Sequence, residues 1–227
     1  MLNNIVNFYY YAVDILPEML AGTWVTIQLS IVCISIGIIF GMILGVARVY
    51  SSKFIYWVVT AYVEFLRGTP CLLQLFFIYY GLGDMGLLLK PVVAAGIALG
   101  INTSVYQAEY FRGAIQAIKP GQMIAARSMG LSKWKAIRYV ILPQALRLVI
   151  PSSSNEIIYM FKYTSVAFAV GVPELLAQAD LTGAMNFRYF ESYVVAAIIY
   201  TIMVFIVAKI MSMIEKKVYI PGLQLAQ

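Results

Sequence analysis

Histidine is absent from this 227-residue chain, which removes the usual general base at neutral pH and the commonest metal ligand. Cysteine is nearly absent. Cys33 and Cys71 stand alone in separate apolar runs, at no spacing that suits a metal or a redox pair, and read as packing residues. No G-x-x-x-x-G-K-S/T loop occurs, so there is no phosphate cradle of that kind. If a nucleotide drives the protein, another polypeptide must bind it. Charge is scarce as well, with 11% charged against 62% hydrophobic residues and a mean hydropathy of +0.85. A soluble domain needs far more polar surface, so the composition is that of a polytopic membrane protein. Residues 1–21 hold no Lys or Arg, so the start lacks the basic region of a cleaved signal peptide.

What is present is a series of membrane-length apolar runs. Phe8 to Leu20 is aromatic-rich and interrupted by Pro17, which suggests an interfacial helix on the outer face within residues 1–21. Gly22 to Ala47 is long enough to span, and Gly37, Gly41 and Gly45 recur every four residues along it, a stripe that permits close helix contact. Tyr56 to Leu82 forms a second span that Pro70 must break or kink, with Glu64 and Arg67 three apart so that they neutralise each other. Pro91 to Phe111 is a third, with Glu109 and Arg112 forming a similar pair at its inner end. Leu142 to Thr164 is a fourth, unusually polar and expected to be broken at Pro151. The stretch 167–190 is too short and mixed to cross and reads as a re-entrant or interfacial segment outside. Ser192 to Met213 is the last span, followed by a basic tail.

Five crossings place the termini on opposite sides. Arg48, Lys53, Arg112, Lys119, Arg127, Lys133, Lys135, Arg138, Arg147, Lys209, Lys216 and Lys217 then fall at one side. Only Lys90, Lys162 and Arg188 fall at the other. The formal charge of +6 therefore reads as membrane orientation, with the N-terminus out, and not as a nucleic-acid footprint.

One polar segment outside the membrane is long enough to be an element of its own, Pro120 to Pro143. Pro120 and Gly121 punctuate its start, Gln122 to Met129 is a good helix-forming run, and Gly130 is the residue expected just past a helix end. Ser132 can cap a second helix. Ala125 and Ala126 let another surface approach the backbone, while Lys133, Lys135 and Arg138 stay wet; a helix laid in a partner's groove needs such a face. A merely amphipathic cytosolic loop satisfies the same pattern. Ala125-Ala126, Gly130, Val140 and Leu142-Pro143 resemble the loop signature of bacterial ABC importer permeases, with Ile124 standing where that family has Glu. The run Glu64-Phe65-Leu66-Arg67-Gly68-Thr69-Pro70 is similar to the Glu-x-x-Arg-Gly-Thr-Pro pattern of the polar amino-acid branch.

Two clusters suggest contact with a ligand. Asn102, Thr103, Ser104, Tyr106 and Gln107 lie in one span, where polar side chains must face protein, water or ligand; hydrogen bonds between helices explain them equally. Glu156 lies thirteen residues beyond Pro143, about 20 Å along a helix and so near the bilayer midplane. An ionisable group at that depth is a candidate site. Lys162, six residues on, is on another face, whereas Tyr159 and Tyr163 share the face of Glu156, and a carboxylate flanked by phenols can hold a cation. Pairing of Glu156 with Arg147, Lys162 or a second subunit is the competing account. Pro151 to Glu156, with Asn155 inside it, and Val172-Pro173-Glu174-Leu175 look like the matching stretches of permeases for histidine, arginine, lysine, ornithine and opines.

The resemblance implies an all-α polytopic membrane protein, a single permease domain over 1–227. It would have five transmembrane helices and a cytoplasmic coupling loop over 112–141, the type I ABC importer permease fold, in a bacterial or archaeal plasma membrane. It implies a second permease subunit, identical or paralogous, two ATP-binding cassette subunits and an extracytoplasmic solute-binding protein. ATP and Mg would sit on the cassette partner, so this chain is not itself an enzyme. Gln122, Ile124, Ala125, Ala126, Arg127, Gly130 and Ser132 would dock that partner; Glu156, Asn155, Tyr159, Tyr163, Asn102 and Ser104 would meet a polar, basic amino acid. A stand-alone secondary transporter or channel using Glu156 as an ion or proton site is the alternative, though no internal repeat of the kind such proteins carry is visible. A membrane enzyme is disfavoured by the missing His.

Overall fold

The computed structural model describes residues 2–218; residue 1 and the tail 219–227, at the ends of the domain expected over 1–227, lie outside the described residues. Every regular element among the described residues is helical: α1 (Leu2–Asp14), α2 (Leu16–Tyr50), α3 (Lys53–Arg67), α4 (Cys71–Phe76), α5 (Leu82–Asp84), α6 (Pro91–Ala117), α7 (Pro120–Ser128), α8 (Lys133–Ala136), α9 (Leu142–Tyr163), α10 (Leu175–Asn186) and α11 (Tyr189–Val218). Two of them, α2 and α11, are apolar enough along their length to cross a membrane by composition alone. At 27 and 22 residues, α6 and α9 are long enough, but each carries a polar face that lowers its mean hydropathy.

The prolines act according to their place in a turn. Pro17 does not interrupt an interfacial helix over Phe8 to Leu20: the break falls at Ile15, and Pro17 sits in the first turn of α2, where its missing N–H has no intrahelical partner to lose. The first membrane helix therefore begins before Gly22. Pro70 ends α3 as expected, after Gly68 and Thr69 have closed its last turn on Glu64 and Leu66. Pro151 does not break α9; the helix runs through it to Tyr163. Ahead of Pro143 the chain widens into a π turn at Ile137–Ile141. The turn falls where a regular helix would press the proline ring onto the carbonyl one turn back.

The helices pack as two units. One is drawn from residues up to Ile34, Cys71–Gly100 and Ile158–Ala208; the other from Ser35–Pro70, Ile101–Ile157 and the chain from Lys209 on. In the first, Leu29, Cys33, Cys71, Leu75, Leu99, Met160 and Val172 form one buried cluster, so both cysteines are packing residues, unpaired and buried. Met19, Leu175, Ala179 and Val195 form another. In the second unit Phe111, Ile115, Ile141, Ala145 and Val149 pack together, beside Val63, Val105 and Ala108.

The glycine stripe of α2 has a specific use in the second unit. A Cβ at Gly37, Gly41 or Gly45 would strike Thr103, Gln107 or Phe111 of α6, so the stripe seats α6 against α2. The three pairings advance together along both helices, which therefore run parallel here. That is the sense expected of a first and a third crossing.

Candidate functional site

The segment expected to dock a partner folds as its local chemistry dictates. Pro120 is the first residue of α7, where proline is favoured. Gly130 takes φ +83°; Gly130 N–H donates to Arg127 O at 3.0 Å and Leu131 N–H to Ala126 O at 3.2 Å. This is the paired closure that needs a left-handed residue just past the helix end. Ser132 then caps α8, its hydroxyl accepting from Lys135 N–H at 3.4 Å. Ala126 is buried and Met123 packs partly on the core cluster around Phe111. Gln122, Ala125, Arg127, Gly130 and Ser132 are exposed. So are three large apolar side chains, Ile124 (65% exposed), Met129 (75%) and Trp134 (64%). A short, rigidly capped helix with an uncovered apolar patch is the kind of surface that seats in a groove.

The second unit also holds a charge cluster. The two pairs expected within helices form: Arg67 reaches Glu64 at 3.6 Å, and Arg112 reaches Glu109 at 3.0 and 2.7 Å. They are joined by Arg48, whose side chain is 7% exposed and which bonds Glu109 and approaches Glu64 at 3.6 Å. Arg67 stacks over the Tyr106 ring at 5.6 Å. Three arginines and two carboxylates from α2, α3 and α6 thus interlock. From sequence Arg48 is only one of the basic residues at one membrane side; the clue was that it carries a charge just inside a helix whose neighbours already hold two carboxylates.

The same unit holds the polar face of α6 against α9. Glu156 accepts a hydrogen bond from Tyr110 Oη at 3.4 Å and has no ion pair with any described residue, so neither Arg147 nor Lys162 neutralises it. Three residues earlier on each helix, Ser153 Oγ donates to Gln107 Oε1 at 2.7 Å. Asn102 and Ser104 are buried, with the Ser104 hydroxyl turned onto Ile101 O at 2.7 Å, while Asn155 is exposed. Tyr110 and Ser153 were not singled out from sequence. Tyr110 is one of 17 tyrosines, and nothing in spacing marks the one that meets a carboxylate.

In the first unit, Tyr159 and Tyr163 lie ring to ring at 4.9 Å, and Lys162 Nζ sits 5.7 Å from the Tyr159 ring. The stretch Val172 to Leu175 builds a buried cap. Glu174 is wholly buried and accepts from Leu176 N–H at 3.0 Å, Ala177 N–H at 2.8 Å and Tyr200 Oη at 2.7 Å. Thr26 Oγ1 accepts from Leu175 N–H at 3.2 Å. The carboxylate thus ties the start of α10 to α11.

Comparison with known proteins gives this geometry a context. The family model described as "Binding-protein-dependent transport system inner membrane component" matches residues 37–219. The probable amino-acid ABC transporter permease protein YckA of Bacillus subtilis (strain 168) is 34% identical over 221 residues, 96% of this chain and 98% of that protein. The glutamine transport system permease protein GlnP of Escherichia coli (strain K12) is 34% identical over 207 residues, 90% of this chain and 94% of its own. Among solved structures, one titled "Crystal structure of an amino acid ABC transporter with histidines" superposes with a TM-score of 0.83 at 38% identity, covering 90% of this chain and 96% of that one. The helical architecture, the capped loop and these similarities agree: the chain belongs to the family of binding-protein-dependent transport system inner membrane components.

Proposed function

We propose that this chain lines the translocation pathway of an ATP-driven amino-acid importer and carries a polar, basic amino acid, with Glu156 as the counter-charge. ATP hydrolysis belongs to a separate subunit of such transporters. The stand-alone transporter or channel falls with the family assignment. Two cassette subunits carrying ATP and Mg, a second permease subunit and an extracytoplasmic solute-binding protein complete the assembly. It sits in a prokaryotic plasma membrane with the N-terminus outside. The positive-inside count supports that orientation. The exposed Ile124, Met129 and Trp134 beside the rigid turn at Gly130 support docking of the cassette there.

The observation that carries the substrate class is Glu156 itself. A carboxylate in the fourth span meets a phenol and no cation among the described residues, so a cationic ligand supplies the missing charge. The relatives compared above include proteins named for glutamine and for histidines. A carboxylate at this point favours the positively charged side of that range. Asn155, Asn102 and Ser104, of the same unit, are the proposed companions of Glu156.

The test is uptake of radiolabelled arginine into vesicles holding the whole assembly, wild type against Glu156→Gln. Loss of at least about tenfold in uptake, the equivalent of one charge-assisted hydrogen bond, with ATPase stimulation by the loaded binding protein retained, is the expected result. Unchanged uptake would make Glu156 a structural residue and remove the basis for a cationic substrate.

A further inference from the structure

Among the described residues of the second unit, Gln107 Nε2 and Thr103 Oγ1 of α6 are buried without a hydrogen-bond partner, as are Arg48 Nε and Thr60 Oγ1. Gln107 is wholly buried and Thr103, one turn earlier on α6, is 1% exposed. Ser153 occupies the carbonyl end of the Gln107 amide, and Gln107 Nε2 and Thr103 Oγ1 are both left without a partner. Buried donors are almost always satisfied, so each exception calls for a reason. Here the seats are purpose-built: α2 offers Gly37 opposite Thr103 and Gly41 opposite Gln107, where any Cβ would collide with them. An apolar residue in either place would pack as well without stranding a donor.

The placement identifies what would use them. Thr103 and Gln107 are four apart on α6, hence neighbours on one helix face, and together present an O–H and an N–H. Tyr110 follows Gln107 by three residues and donates to Glu156, just as Gln107 is tied to Ser153, three residues before Glu156 on α9. Counted along α6 from Tyr110, which donates to Glu156, Gln107 is about one helical turn away and Thr103 about two. An amino acid with a cationic side chain has the complementary pattern: a carboxylate with two acceptor oxygens at one end and a positive group at the other.

We propose that Gln107 Nε2 and Thr103 Oγ1 receive the α-carboxylate of the transported amino acid while Glu156 receives its cationic side chain. Both donors are closed to solvent in this structure, and Ser153 of α9 holds the Gln107 amide, so the ligand reaches Gln107 when α9 parts from α6. Gln107 and Thr103 are then the residues that make the pathway require an amino acid and not merely a cation. This rests on the reading of Glu156 given above, and the experiment separates the two.

The measurement is equilibrium binding of radiolabelled arginine to the purified permease–ATPase complex without its binding protein, which would impose a selectivity of its own. Competitors are agmatine, which is arginine without the carboxylate, and citrulline, which keeps the carboxylate but has a neutral side chain. In the wild type agmatine binds about tenfold to a hundredfold more weakly than arginine, the range for a charge-assisted hydrogen bond. Gln107→Leu brings arginine and agmatine to within about threefold while the arginine-to-citrulline preference stays. Thr103→Val, nearly isosteric, moves the same ratio in the same direction and serves if Gln107→Leu does not fold. Equal weakening of arginine and agmatine by both variants would make the pair structural and overturn the proposal, as would a wild type indifferent to the carboxylate. A wild type that binds citrulline as well as arginine would instead overturn the Glu156 reading.

Discussion

At the scale of single residues, buried polar groups in this chain divide into those with a full set of partners and those without. Glu174 is of the first kind. Its two oxygens take two backbone N–H groups that open α10 and the Tyr200 hydroxyl, so one side chain caps a helix and joins it to α11. Replacing it by alanine strands three donors in a site closed to solvent. Loss of a cap costs about 0.5–2 kcal/mol and a stranded buried donor about 1–3. We expect Glu174→Ala to lower the thermal midpoint of the detergent-solubilised protein by several degrees, with Glu174→Gln intermediate because its amide oxygen can still accept. A midpoint unchanged in the alanine variant would show that the cap is dispensable. Glu156 and Gln107 are of the second kind, and the roles proposed for them rest on that contrast. Sequence alone could not make that division. Glu174 and Glu156 are both lone acids in a largely apolar chain; only the packing reveals that the donors around Glu174 answer it fully and those around Glu156 do not.

At the scale of elements, the segment from Pro120 to Pro143 was the most legible part of the chain because its geometry is local. Gly130, Ser132 and Pro120 each act within one turn of their own position, and all three appear in the expected roles. The breaks were less legible, since a proline's effect depends on where in a turn it falls: Pro70 ends a helix, Pro17 begins one, and α9 continues through Pro151. The interlocked charges of Arg48, Glu64, Arg67, Glu109 and Arg112 were legible only as two pairs, because the third member comes from a helix distant in sequence. The local geometry of the loop also fixes a prediction. At φ +83° a side chain is strained, by about 1 kcal/mol for most residues and less for Asp. Gly130→Asp therefore leaves α7 formed but puts a charge beside the exposed Ile124, Met129 and Trp134. We expect the ATPase subunit to co-purify at a small fraction of the wild-type yield and uptake to fall with it; normal co-purification and normal uptake would remove this segment as the docking surface.

At the scale of the whole molecule, the question is how the chain lies in its membrane. Pairing of Gly37, Gly41 and Gly45 with Thr103, Gln107 and Phe111 makes α2 and α6 parallel within their unit. Two parallel membrane helices require the chain to return between them, and the segment broken at Pro70 is the only long helical stretch available for that. In the proposed topology the basic residues concentrate at one membrane face, the cytoplasmic one under the positive-inside rule. The protein brings a convenient means of checking this. Its two cysteines are 0% and 4% exposed, so a membrane-impermeant maleimide should leave the native chain unlabelled, and one introduced thiol reports one site. Ser128 and Met185 are both exposed, one at the end of α7 and the other in the last turn of α10. In intact cells Met185→Cys should be labelled and Ser128→Cys should not, becoming reactive only after the membrane is opened. The reverse pattern would invert the topology and place the capped helix and its apolar patch outside, where no ATP-hydrolysing partner could reach it. Labelling of both in intact cells would mean that the chain crosses between α6 and α10 an even number of times, so that α9 could not be a spanning helix and Glu156 could not lie on a transmembrane path.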